Sequence, residues 1–188
     1  MQLLQTCALS FALLVGTASC ASAQVDQKLK KIDGARWFAG SYEVSCDRTG
    51  SEGTVIFTVS STEKNEATAL REARRNAIRA VVFRGIRTER CSEDPMMRPD
   101  AFTEAADAYF DTFFKEGGQY LAYVEYAGDE VEAKVKVGKQ IKITSTVIVQ
   151  RNRLRQDLER AGIIKSMGDI FKRSGQASGA TIHRVWSL

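Results

Sequence analysis

The chain has 188 residues, 44% of them hydrophobic, with 27 basic and 23 acidic side chains and a formal net charge of +4. That length supports one domain around one core, and with only two prolines a Pro-rich spacer is excluded. One histidine and four cysteines are too few, at the spacings present, to ligate a transition metal.

Residues 1–23 carry no charged side chain, contain an apolar run from Cys7 to Val15, and end in Ala21-Ser22-Ala23 before Gln24. This is the pattern of an export signal with a small-residue cleavage site, and the run is shorter than the ~20 residues that span a bilayer. Two cuts fit. Cleavage after Ala23 releases a soluble chain; Thr17-Ala18-Ser19-Cys20 is similar to a lipoprotein box, in which Cys20 would become the lipidated first residue. The expected organisation is a signal over 1–23, a linker over 24–40, a single domain over 41–173 and a flexible tail over 174–188.

Cleavage after Ala23 leaves two cysteines, Cys46 and Cys91. In an oxidising compartment such a pair forms either one bridge or two separate thiols. A bridge would close a loop worth roughly 3–4 kcal/mol on the chain-entropy model.

Residues 41–46 and 54–59 read as strands around a Gly-containing turn, hence a hairpin. Asn65 is placed to cap a helix running to about Phe83, with Leu70, Ala73, Ala77, Ile78, Val81 and Val82 on one stripe and Gly85 as its C-cap. Arg71, Arg75 and Arg79 recur four apart on the same helix. They form a solvated row or a candidate partner-binding face, whose replacement by Glu would then leave stability nearly intact.

Residues 86–99 are irregular. Asp100 is the expected cap of a second helix over 101–116, in which Phe102, Ala105, Ala106, Tyr109, Phe110 and Phe113 form an aromatic stripe opposite Glu104, Asp107 and Asp111. That helix is expected to pack on the sheet beside the Arg-bearing one. Residues 119–127 then read as a strand, and Val131, Ala133, Val135 and Val137 alternate with Glu132, Lys134 and Lys136. At Gly138 the chain turns in a hairpin or bulges within one long strand that continues to Val149. Asn152 is the expected cap of a last helix carrying Leu154 and Leu158, which Gly162 ends. The order β-β-α-α-β-β-β-α argues for an α+β domain: an antiparallel or mixed sheet of about five strands with two to three helices mainly on one face.

Two segments carry a likeness. One is an Ala-rich A-x-x-x-A-x-x-x-A helix over 66–85. The other is a strand, a cap and L-x-x-x-L-E-x-x-G-I over 146–164. Together they resemble the N-terminal domain of the flagellar assembly protein FlgT, and are similar to small outer-membrane lipoproteins and exported proteins of Gram-negative bacteria. What the resemblance implies is a location in the periplasm or at the outer membrane and an assembly or scaffolding role. It carries no catalytic residues.

The residues themselves offer no catalytic or cofactor-binding set. His183, the sole histidine, lies in the expected tail, so a Ser-His or Cys-His unit lacks its base, and no Gly-rich phosphate loop is present. The expected function is therefore a non-enzymatic envelope component that uses no cofactor or metal. It would bind envelope or outer-membrane proteins and anionic envelope polymers but no nucleic acid, and would touch the membrane only through a lipid on Cys20. Charge is uneven, net −7 over 99–130 and +8 over 131–188, which self-neutralises within the fold or presents a basic face to an anionic partner. The alternative is a small-ligand binder or enzyme using a cleft between the sheet and the aromatic helix, under Tyr109 and Phe113.

Overall fold

A computed structural model describes residues 34–39, 43–88, 91–166 and 168. The signal, Cys20, His183 and the expected tail lie outside the described residues.

The expected α+β class is present. A five-stranded antiparallel sheet is built from β1 (Glu43–Thr49), β2 (Val55–Glu63), β5 (Val124–Tyr126), β6 (Ala133–Val137) and β7 (Gln140–Val149). β1 pairs with β2, and β2 with β7; β5 and β6 share the other edge of β7, end to end. Between them the Ala127 and Glu132 amides still donate to Thr146 O and Thr144 O, and residues 128–131 loop out of the ladder over Ser145, a buried serine whose hydroxyl donates to the Glu130 carbonyl. Gly138 and Lys139 form a two-residue turn with positive φ at the glycine alone, the arrangement of a type II′ hairpin. The hairpin alternative therefore holds at Gly138, not the bulged single strand.

Period-2 alternation sorts the two faces of the sheet. Val55, Phe57 and Val59 of β2 and Ile143, Val147 and Val149 of β7 are buried on one side. The other side presents Thr58, Ser60, Thr144 and Thr146, whose hydroxyls pair across the strands at 3.5 Å (Thr58–Thr146) and 2.9 Å (Ser60–Thr144).

The long helix α2 (Glu66–Arg79) lies on the buried face across β2 and β7. Asn65 caps it, its side chain accepting from the Thr68 amide at 2.9 Å. Ala69, Ala73, Ala77 and Ala80 are all buried, and their small size lets helix and sheet approach closely. The helix widens at its end into a π turn, Ala80–Arg84, closed by the Gly85 amide donating to Ala80 O at 2.8 Å, with Gly85 at φ +68°. Val81 and Val82 carbonyls accept from the Met96 and Met97 amides, so the loop after the two-residue strands β3 (Ile86–Arg87) and β4 (Ser92–Glu93) satisfies the helix end.

Four expectations are corrected. Thr103, not Asp100, caps the aromatic helix α3 (Glu104–Phe113), because residues 99–101 form a separate 3₁₀ turn begun by Pro99. Residues 119–123 are a 3₁₀ turn, not strand: Tyr120 and Tyr123 both point inward, which a strand's alternation would not allow. Asn152 caps nothing. Helix α4 (Arg151–Arg160) starts one residue earlier, and the Asn152 side chain instead sits where a Cβ on Gly53 would be. The packed body also begins before residue 41, since the short helix α1 (Ala35–Phe38), within the expected linker, buries Trp37 to 4% exposure.

The end of α4 follows the expected grammar. The Gly162 amide donates to Glu159 O and the Ile163 amide to Leu158 O, a Schellman closure with Gly162 at φ +70°.

Candidate interaction surface

The rings of α3 assemble a cluster with α1 and the π turn. Trp37 stacks on Phe114 at 5.3 Å and Phe83 at 6.0 Å, and Phe83 meets Phe110 edge-on at 4.8 Å. Phe113 packs against Tyr109 (5.6 Å) and Tyr123 (6.0 Å). The aromatic stripe thus faces α1, the π turn and the 119–123 turn, where it was expected to face the sheet. Under Tyr109 and Phe113 lies packed aromatic surface: Phe110 and Phe113 are fully buried, and the rings around them stand at contact separations.

Two of the three acidic side chains of α3, Asp107 and Asp111, are occupied by the chain itself, and Glu104 is exposed. Asp107 accepts from Trp37 Nε1 at 2.6 Å and from Arg36 at 3.0 Å, and Arg36 also bridges Asp111 at 2.8 Å. Burial alone would lower the Arg36 guanidinium; its hydrogen bonds to the two carboxylates outweigh this and raise it.

The arginines singled out from sequence lie along the seam between α2 and the aromatic cluster. Arg71 bridges Glu116 at 2.9 Å. Arg75 pairs with Glu72, is 18% exposed, and stands over the Tyr120 ring at 5.6 Å. Arg79 lies over Trp37 (5.5 Å) and Phe114 (5.6 Å). Arg74, which the four-residue spacing passed over, stacks on Tyr126 at 5.2 Å. Each guanidinium is thus engaged by neighbours in the fold.

Cys46 of β1 and Cys91 beside β4 are joined as a disulfide with Cα atoms 6.1 Å apart. The bridge ties the sheet edge to the β3–β4 hairpin.

Two tyrosines brace the same side. Tyr123 donates to Asp157 at 2.6 Å and Tyr126 to the Leu70 carbonyl at 2.9 Å. Burial, reinforced by Asp157, pushes the Tyr123 phenol up to about 12. Burial does the same to Tyr126, against a smaller opposing pull from Arg74.

Among the described residues no group of three or more His, Cys, Asp or Glu side chains could hold a metal, and no helix is long and apolar enough to cross a membrane. A polar hollow of about 300 Å³ at the end of the sheet is lined by Glu43, Ser60, Thr62, Glu63, Asn76 and Lys142. Ser60 is committed to Thr144, and Lys142 bridges Glu43 at 2.6 Å.

What stands out from the body is the β6–β7 hairpin. All of β6 is exposed, and Val135 (56%) and Val137 (48%) are the large apolar side chains most open to solvent among the described residues. Lys134 bridges Glu66 at 2.5 Å, whereas Lys136 and Lys139 have no ion-pair partner among the described residues. The sequence showed the Val/Lys alternation but not that its apolar face would stay uncovered.

Fold and surface together describe a disulfide-tied α+β domain whose most distinctive exposed feature is a Val/Lys hairpin. Comparison with protein-family models, with curated proteins and with solved structures gives no match.

Proposed function

We propose that the chain is an exported, non-enzymatic component of the cell envelope of a Gram-negative bacterium, residing in the periplasm or at the outer membrane, that acts by binding other envelope components. The observation that carries this reading is the Cys46–Cys91 bridge. The two cysteines left after the leader-like segment are the two that pair, and disulfides persist in oxidising compartments. The uncharged leader and the likeness of 66–85 and 146–164 to the FlgT N-terminal domain support the same reading. The engaged carboxylates of α3 and the filled interior beneath Tyr109 and Phe113 weigh against a catalytic cleft there.

The test is the thiol state in the native host. Whole cells are quenched in acid, and thiols are tagged with a maleimide polymer before and after reduction. The reading expects no shift at Cys46 and Cys91 until reductant is added. Two thiols reactive from the outset would contradict it.

A further inference from the structure

We propose that the β6–β7 hairpin is a docking tip for an anionic phospholipid surface. The proposal rests on the envelope reading only for where such a surface is met. Its geometry stands alone.

Val135 and Val137 lie two apart on one face of β6 and are about half exposed. Lys136 projects from the opposite face, Lys139 from the turn, and Lys142 stands across the ladder from Val135. An apolar pair interleaved with lysines suits the boundary between headgroups and acyl chains. There aliphatic groups enter the boundary and ammonium groups stay among the phosphates.

The nearest acidic side chains in sequence, Asp129, Glu130 and Glu132, sit at the base of the hairpin. At about 3.4 Å per residue, Glu132 lies about 17 Å from the turn, beyond the ~8–10 Å over which physiological salt lets charges act. Closer in space, Glu66 pairs with Lys134 and Glu43 with Lys142, so the positive charge the tip offers to a surface is that of Lys136 and Lys139. A second copy of the chain fits the same surface poorly. Antiparallel pairing of two β6 edges about Val135 would set Lys134 opposite Lys136 of the copy, and like charges directly opposed destabilise a strand pair.

The experiment uses the full chain with its disulfide intact and Cys20→Ser, so that no acyl chain contributes. It is mixed with phosphatidylcholine vesicles with and without about one third phosphatidylglycerol, and sedimented. Binding to the anionic vesicles alone is expected. Lys136→Gln with Lys139→Gln should lower the partition coefficient roughly 30-fold, at about 1 kcal/mol per lysine. Val135→Asn with Val137→Asn should also weaken binding. Lys115→Gln with Lys165→Gln, exposed lysines away from the hairpin, should leave it unchanged. The proposal is overturned by no binding, by equal binding to neutral vesicles, or by equal loss in the Lys115/Lys165 control. Self-association removed by the hairpin variants, in place of lipid binding, would also overturn it. None of these failures alters the cellular thiol test, so the envelope reading stands or falls separately.

Discussion

Replacing Trp37 with Ala should nearly unfold the aromatic side of the domain. Trp37 lies in a segment expected to be linker, yet it is almost fully buried, stacks on Phe83 and Phe114, and donates to Asp107 at 2.6 Å. Truncating a buried Trp to Ala costs about 3–5 kcal/mol, a large share of the ~5–15 kcal/mol that holds a domain folded. For a body of this size that is a fall of roughly 10–20 °C in Tm, at about 3–5 °C per kcal/mol. Trp37→Phe keeps most of the ring area but removes the N–H from Asp107, which retains Arg36; about 1–2 kcal/mol should be lost. The assay is urea unfolding followed by circular dichroism. Trp186→Phe as background makes Trp37 the one remaining tryptophan of two, and its emission should be blue-shifted in the folded state. A Trp37→Ala midpoint within about 0.5 kcal/mol of the parent, the size of an ordinary surface change, would refute the docking of α1.

Three further outcomes follow from the same contacts. Cys46→Ser with Cys91→Ser reopens a loop with a sequence separation of 45 and should cost about 4 kcal/mol on the chain-entropy model; denaturant midpoints with and without reductant measure it, and equal midpoints would contradict a structural bridge. Tyr123 and Tyr126 keep their protons in the folded state up to about pH 12, whereas the unfolded phenols lose them near 10. The folded state thus binds more protons between these values, so stability is full below pH 10 and falls as pH rises from 10 to 12. Unfolding at stepped pH should show that slope, and Tyr123→Phe with Tyr126→Phe should flatten it; an unchanged slope would remove these phenols as its cause. Arg79→Glu, which puts a carboxylate over the Trp37 and Phe114 rings, should lose at least ~1–2 kcal/mol, whereas Arg71→Ala breaks an exposed pair worth about 0–1 kcal/mol; equal, negligible shifts in thermal melts would show that the arginines are not part of the packing.

Elements set by local grammar are legible in the sequence. Asn65, Gly85, Gly138 and Gly162 all mark boundaries where the backbone turns or is capped, because cap and positive-φ preferences act within a few residues. The errors share a cause. Asp100 and Asn152 are good capping types, but Pro99 and the packing of Asn152 over Gly53 diverted both. Trp37 and Phe38 stand in an apolar stretch too short to show a period, so nothing local announces that they anchor the segment through rings brought from residues 83, 102 and 114. Arg75 and Arg79 read as part of a solvated or partner-binding row because guanidinium–ring stacking depends on rings brought from residues 37, 114 and 120, which spacing along one helix does not reveal. The hairpin was visible as Val/Lys alternation. Its exposure was not, since the register with β7 sets Val135 and Val137 beside Lys142 and Gln140, on the Thr/Ser face of the sheet opposite α2, and pairing register is not written in the alternation itself.

The central claim, an exported domain at work in the envelope, is tested most directly by separating the native host into cytosol, periplasm, and inner and outer membranes, and weighing the intact chain in each. The account predicts a chain beginning at Gln24 in the periplasm, or at an acylated Cys20 in the membranes, lighter by two hydrogens for the Cys46–Cys91 bond. An unprocessed chain from Met1 with both thiols reduced, found in the cytosol, would contradict it.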